Sequence, residues 1–279
     1  MPLVSVIIPT YNRAPVLERA INSVLAQSFR DYELIVVDDG STDATQAVIA
    51  RCRGKLSAIF QENRGVAAAR NLGIRHSSGE LVSFLDSDDE WLPEKLKRQI
   101  ELFRHGDETF VCHTDEIWLR DGKNVRPRAK HAKQGGRFFD RALELCLISP
   151  SSVIISRALL DRVGWFDESL PAAEDYDMWL RLTAFYPVHF VAEPLVIKHG
   201  GHDDQLSRVT PAIDRFRIKA ILKLLDRQDL RPDYRQAAIG ELARKCEIVA
   251  LGCEKKGKTD EAEWYRGLVG LHTRPHDPA

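Results

Sequence analysis

Asp86, Asp88, Asp89 and Glu90 put four carboxylates within five residues, and no basic side chain falls among them. Like charges this close repel, so a counter-charge is expected. A divalent cation would supply it, and oxygen ligands suit Mg²⁺ or Mn²⁺ better than Zn²⁺. The competing reading is a solvated acidic turn in which Asp89 or Glu90 caps a helix running from about Pro93 to Phe103. A second acidic group, Glu174, Asp175 and Asp177, opens a predicted helix, where carboxylates complement the positive end of the helix dipole. That complementarity is by itself a structural account of them. A basic stretch, Lys123, Arg126, Arg128, Lys130, Lys133 and Arg137, reads either as a solvated surface loop or as a lid or acceptor-binding loop.

The elements that must position these groups alternate. Leu3 to Ile8 is a buried-strand pattern stopped by Pro9, followed by the polar turn Thr10-Tyr11-Asn12-Arg13. A helix from about Pro15 to Gln27 has apolar residues at helical spacing. The strand from Tyr32 to Val37 ends at Asp38-Asp39-Gly40-Ser41-Thr42-Asp43, where Ser41 or Thr42 caps a helix to about Arg51. Leu56 to Phe60 is a third strand. A helix follows from Gly65 through Ile74, and Leu81 opens a fourth strand. Strands alternating with helices imply a mainly parallel α/β sheet flanked by helices. Such sheets bind ligands beyond the carboxyl ends of their strands, and the polar turns after strands one, two and four all fall there. Later strands are expected at Phe110–Leu119, in the stretch entered through Ser149, and, as two closing strands, at Val188–Val191 and Leu195–Ile197. After about Gln205 the pattern turns helical. The expected organisation is a domain over residues 1–205 and an α-helical extension over 206–279 with a disordered tail.

Composition excludes several classes. A net charge of −1 and a pI near 6.8 give no overall field for nucleic acid or anionic lipid. Five cysteines at irregular spacing form neither a disulfide framework nor a metal cluster, which fits a reducing cytoplasm. No signal peptide and no apolar run long enough for a membrane span is expected, although peripheral attachment at the inner face of a membrane is compatible with the chain. The first strand lacks the Gly-x-Gly-x-x-Gly turn of dinucleotide-binding proteins. A phosphate-loop pattern does occur, from Gly252 through Lys258 to Thr259. It requires a preceding strand, whereas Tyr234, Ala238, Leu242, Cys246 and Val249 follow helical spacing. A helical hairpin is therefore expected there, with a phosphate-loop nucleotidase as the alternative.

Six motifs in order resemble the family 2 inverting glycosyltransferases, which have the GT-A fold. They are Ser5-Val-Ile-Ile-Pro-Thr-Tyr-Asn-Arg13, Val37-Asp-Asp-Gly-Ser-Thr-Asp43, Asn63-Arg-Gly-Val-Ala-Ala-Ala-Arg-Asn71, Phe84-Leu-Asp-Ser-Asp-Asp89, Gly164-Trp-Phe-Asp-Glu168 and Glu174-Asp-Tyr-Asp-Met-Trp179. The resemblance runs from about Val4 to Ser207 and leaves the helical extension outside. It implies a nucleotide-sugar donor, UDP-sugar first, with GDP- or dTDP-sugars open. Pro9, Thr10 and Tyr11 would line the base pocket, and Asp39 would accept a hydrogen bond from the base. Arg70 would contact the donor, Asp86 the ribose hydroxyls, and Asp88 a Mn²⁺ or Mg²⁺ ion bridging the diphosphate. His199 matches the family's late metal ligand, with His202 a nearby rival. Asp175 would be the general base, with Glu174 and Asp177 as alternatives. Trp179, one helical turn on, would pack beside either the acceptor or the core. The acceptor would be a glycan, lipid-linked or protein hydroxyl, in the setting of cell-surface polysaccharide synthesis. A non-catalytic scaffold of the same fold is the remaining reading, and the intact acidic set argues against it.

Overall fold

A computed structural model describes residues 1–201 and 212–273. His202, the boundary near Gln205 and the tail after Thr273 lie outside these described residues. In chain order the elements are β1 (Val4–Thr10), α1 (Ala14–Leu25), β2 (Tyr32–Asp38), α2 (Thr45–Arg51), β3 (Ser57–Phe60), α3 (Val66–His76), β4 (Leu81–Phe84), β5 (Glu90–Trp91) and α4 (Lys95–Ile100). There follow β6 (Val111–Arg120), β7 (Lys123–Asn124), α5 (Phe139–Glu144), β8 (Val153–Ser156), α6 (Arg157–Val163), α7 (Glu174–Thr183) and β9 (His189–Gly200). Three helices close the chain: α8 (Asp214–Leu225), α9 (Pro232–Glu254) and α10 (Thr259–Thr273).

One sheet has the order β3-β2-β1-β4-β8-β6-β9-β5, with β7 paired to β6. Its first four strands are parallel; β8 then runs antiparallel to both β4 and β6, while β6 and β9 are parallel. The unbroken apolar runs of β1 and β2 follow from burial on both faces. Val6, Ile8, Leu34 and Val36 pack with α1, α2 and α4. Ile7, Ile35 and Val37 face the opposite core with α3, α6 and α7. The alternation is that of a strand, whose successive side chains point to opposite faces. Helices α8 to α10 join the second core through residues such as Ile221, Leu242 and Ala262.

Several local expectations are corrected. β1 continues through Pro9 to Thr10 instead of stopping at Pro9. Pairing with β2 persists to Thr10↔Asp38, while pairing with β4 has ended at Ile7↔Phe84. The missing proline N–H therefore has a side on which no ladder bond is needed. Neither Asp89 nor Glu90 caps a helix; Glu90 and Trp91 pair with β9 and α4 is confined to Lys95–Ile100. Ser41 and Thr42 do not cap α2. Ser41 Oγ accepts from the Asn12 N–H at 2.8 Å, and the Thr42 N–H donates to Asn12 Oδ1 at 2.8 Å, clamping two strand-end turns together. The two closing strands are one strand, β9, bulged where Asp115 pairs with Pro194. The phosphate-loop alternative fails on geometry. Gly252 lies inside α9, Gly257 forms the left-handed turn after it (φ 70°), and Thr259 opens α10. Lys258 pairs with Glu261 at 3.4 Å.

Candidate active site

Arg70 is the hub of the site. A Cβ on Gly73 would collide with the Ile7 side chain, so glycine there lets α3 lie against β1 and brings Arg70 to the end of β4. The Arg70 guanidinium is buried and forked. Nη1 donates to Glu174 Oε1 at 2.6 Å and Nη2 to Asp86 Oδ1 at 2.7 Å, with the Phe166 ring centred 5.0 Å from the guanidinium carbon. A planar fork bonded to two carboxylates is a strong, directional join. It ties the loop after β4 to the first turn of α7, 104 residues from Arg70. Arg70→Met should leave Glu174 and Asp86 without their shared counter-charge and destabilise the fold by about 3–5 kcal/mol. Urea unfolding followed by far-UV circular dichroism measures this loss.

The acidic loop is neutralised from distant parts of the chain. Part of the counter-charge that the four carboxylates call for comes from side chains far away in the sequence. Lys198 Nζ lies 3.1 Å from Asp89 Oδ2, and Arg19 Nη2 donates to the Asp88 carbonyl at 2.6 Å. Ser151 is the second brace. Its Oγ donates to Asp89 Oδ2 at 2.6 Å and accepts from the Asp86 N–H at 3.1 Å. Trp91 Nε1 donates to the Ser151 carbonyl at 2.7 Å, and Lys95 Nζ stands 3.7 Å over the Trp91 ring. Asp89 Oδ1 accepts from the His199 N–H at 3.2 Å, which fastens β9 to the loop. Sequence reasoning offered Asp89 only as a helix cap and gave no role to Ser151 or Lys198.

Asp88 differs from its neighbours, because no side-chain hydrogen bond or ion pair holds its carboxylate among the described residues. Burial, then the Asp86 charge, raises its pKa. His199 lies near enough to feel the Asp88 charge, and its ring Nε2 is 3.3 Å from Glu90 Oε1. Burial, then Arg19, lowers the imidazole's affinity for a proton and keeps it in the neutral form that ligates metals. Among the described residues no three His, Cys, Asp or Glu side chains converge on one point. A carboxylate and a neutral imidazole fit Mg²⁺ or Mn²⁺ of the kind completed by substrate phosphates and water.

Asp175 is the partly exposed acid in the first turn of α7. Its Oδ1 accepts from the Tyr176 N–H at 2.7 Å and its Oδ2 from the Cys146 thiol at 3.3 Å. The alternatives are occupied. Glu174 is bound to Arg70, and Asp177 is buried between Arg181, at 2.9 Å, and Lys223, at 2.8 Å. Ala173 just before them holds φ 61°, a left-handed conformation uncommon for a residue with a side chain. Trp179 is 2% exposed and meets the Phe166 ring edge-on, so it belongs to the core and does not face an acceptor.

At the other end of the carboxyl edge, Pro9 and Thr10 are buried and Tyr11 is 45% exposed. Thr10 Oγ1 is buried and has no hydrogen-bond partner among the described residues. Asp39 accepts from Gln61 Nε2 at 2.6 Å and from the Arg64 and Gly65 N–H groups, each at 2.9 Å. Three of about four acceptor positions on a carboxylate are thus engaged.

A half-sheet of parallel strands whose polar turns meet at one edge, joined to a mixed half-sheet through an acidic loop, defines a GT-A fold. The Glycosyl transferase family 2 model matches residues 5–164. The chain belongs to that family. An uncharacterized glycosyltransferase of Rickettsia typhi is 36% identical over 209 residues, covering 73% of this chain and 65% of that protein. The chain therefore spans just under two thirds of that relative's length. WfgD of Escherichia coli, a UDP-Glc:α-D-GlcNAc-diphosphoundecaprenol β-1,3-glucosyltransferase, is 32% identical over 185 residues, which cover 64% of this chain and 69% of WfgD. The structure of S. aureus TarS in complex with UDP-GlcNAc superposes with a TM-score of 0.68 at 20% identity, covering 98% of this chain and 93% of that one. No helix among the described residues is long and apolar enough to cross a membrane.

Proposed function

We propose that the chain is an inverting glycosyltransferase that moves a sugar from a nucleoside-diphosphate donor to an acceptor hydroxyl. The observation that carries this reading is the Arg70 fork, because it joins the acidic loop to the helix turn that carries the partly exposed Asp175. Tyr11 offers a face on which a base stacks. The remaining acceptor position of Asp39 suits the imide N–H of uracil, so a UDP-sugar is the first donor to test. Asp86, braced by Arg70 and Ser151, presents its second oxygen to ribose hydroxyls. Asp88 and His199 would hold Mn²⁺ or Mg²⁺, which when bound neutralises charge developing on the leaving diphosphate. Asp175 takes the acceptor proton as that oxygen attacks the anomeric carbon from the face opposite the diphosphate. Arg70 in this scheme positions two carboxylates and leaves direct contact with the donor to others. The naming of WfgD for a UDP-Glc donor and a lipid-linked acceptor supports both choices as starting points, and polysaccharide synthesis is the setting in which to test them.

Purified protein with Mn²⁺ and a panel of UDP-, GDP- and dTDP-sugars should release nucleoside diphosphate from a UDP-sugar, and EDTA should suppress that release. Release from no donor, with no thermal shift by any nucleotide, would overturn the proposal.

A further inference from the structure

The hairpin β6–β7 and the segment after it form an arm with fixed ends and an unneutralised middle. Asp121 (φ 51°) and Gly122 (φ 72°) make the two-residue turn that favours a tight hairpin. Arg120 pairs with Lys123, and the Val125 N–H donates to the Trp118 carbonyl at 2.8 Å. At the returning end, Lys133 forms a 2.8 Å ion pair with Glu116, and both side chains are almost wholly buried. His113 Nε2 lies 2.8 Å from the Gln134 carbonyl. Between these anchors residues 120–130 are all exposed. Lys123, Arg126, Arg128 and Lys130 have no carboxylate partner among the described residues, and no acidic residue lies between Gly122 and His131. Burial first, then the charges of Lys130 and Arg128, lowers the His131 pKa, as expected where cations go uncompensated. Like charges crowded into residues 123–130 repel one another, and a bound anion would relieve that repulsion.

The position of the arm selects the anion. β6 lies beside β9 with Leu119 opposite His199, so the arm rises from the rim of the proposed cleft, where an acceptor must enter. Resting on the transferase reading above, we propose that this arm docks an acceptor carrying a phosphate or diphosphate ester, receiving that group while the acceptor hydroxyl reaches the cleft. A membrane surface is the weaker fit. Val125 is the exposed large apolar side chain the arm offers for insertion, and Trp118 is turned inward, its Nε1 donating to Glu116 at 3.0 Å.

The test compares dodecyl diphosphate with dodecyl β-D-glucoside, both below micelle formation, by calorimetry in the presence of saturating UDP and Mn²⁺. The nucleotide keeps the probe out of the donor cleft. The intact chain should bind the diphosphate about tenfold or more tightly than the glucoside. The variant Lys123→Gln, Arg126→Gln, Arg128→Gln, Lys130→Gln should lose that preference and keep its UDP affinity; these exposed positions leave the fold intact. Equal binding by the two proteins, or no preference in the intact chain, overturns the proposal. So does a variant that loses binding to phosphatidylglycerol vesicles but retains the diphosphate preference, since the arm would then serve a membrane surface. UDP-sugar hydrolysis by the same samples separates the two levels. Hydrolysis without a diphosphate preference refutes the arm alone, whereas absence of hydrolysis of every donor together with absence of nucleotide binding refutes the transferase reading.

Discussion

Asp175→Asn is expected to lower kcat for transfer by about 10²–10⁴-fold, the usual range for loss of a general base. UDP affinity should stay unchanged. The amide is isosteric with the carboxylate; its single oxygen keeps the bond from the Tyr176 N–H while its NH2 turns to the Cys146 sulfur, so packing is largely kept while proton acceptance is lost. Glu174→Gln makes the informative contrast. Glu174 is buried and bonded to Arg70, so its neutralisation should show first as lowered thermal stability. If Glu174→Gln removes transfer at unchanged stability while Asp175→Asn remains active, the base has been assigned to the wrong residue. Single-turnover kinetics with the donor and a hydroxyl acceptor distinguish these outcomes.

Asp88→Ala should abolish the Mn²⁺-dependent part of donor binding. Loss of an outer-shell partner alone costs about 10–100-fold in metal affinity, and loss of a direct ligand should cost at least as much. Stability should hold or rise, because among the described residues no side-chain hydrogen bond or ion pair holds the Asp88 carboxylate, and its charge is held near Asp86. Asp89→Ala would behave in the opposite way. Asp89 joins Ser151, Lys198 and the His199 backbone, so its removal should loosen the loop whether or not metal is present. Titration of UDP with and without Mn²⁺, run beside thermal melts of both variants, separates a ligand from a brace. An Asp88→Ala protein with full Mn²⁺-dependent UDP affinity would remove Asp88 from the metal site.

The parallel half of the sheet was legible because β1, β2 and β4 are short apolar runs that end in polar turns, and helical spacing marks the helices between them. Asp38, Asp39 and the Asp86–Asp89 loop stood out for the same reason. What stayed hidden depends on pairing across long separations. The Asp89–His199 bond spans 110 residues and Arg70–Glu174 spans 104, so no local pattern announces either. Lys198 and Ser151 carry no motif of their own. β5 is two residues long and takes its identity from β9. The arm is a different case: Asp121-Gly122 after an apolar run is a hairpin signal, and it explains why the basic segment begins as a strand pair. Trp179 shows the limit of helical spacing, since sharing a side of α7 with Asp175 did not decide whether the ring met solvent or core.

The central claim is that Asp39, Asp88 and Asp175 border one donor cleft. A crystal structure with a UDP-sugar and Mn²⁺ tests it most directly. It should show the uracil at Asp39 and Tyr11, the metal on the Asp88 carboxylate, and the anomeric carbon open to Asp175 with room for one hydroxyl between them. A nucleotide bound away from this edge, or protein standing between Asp175 and the anomeric carbon, would contradict it.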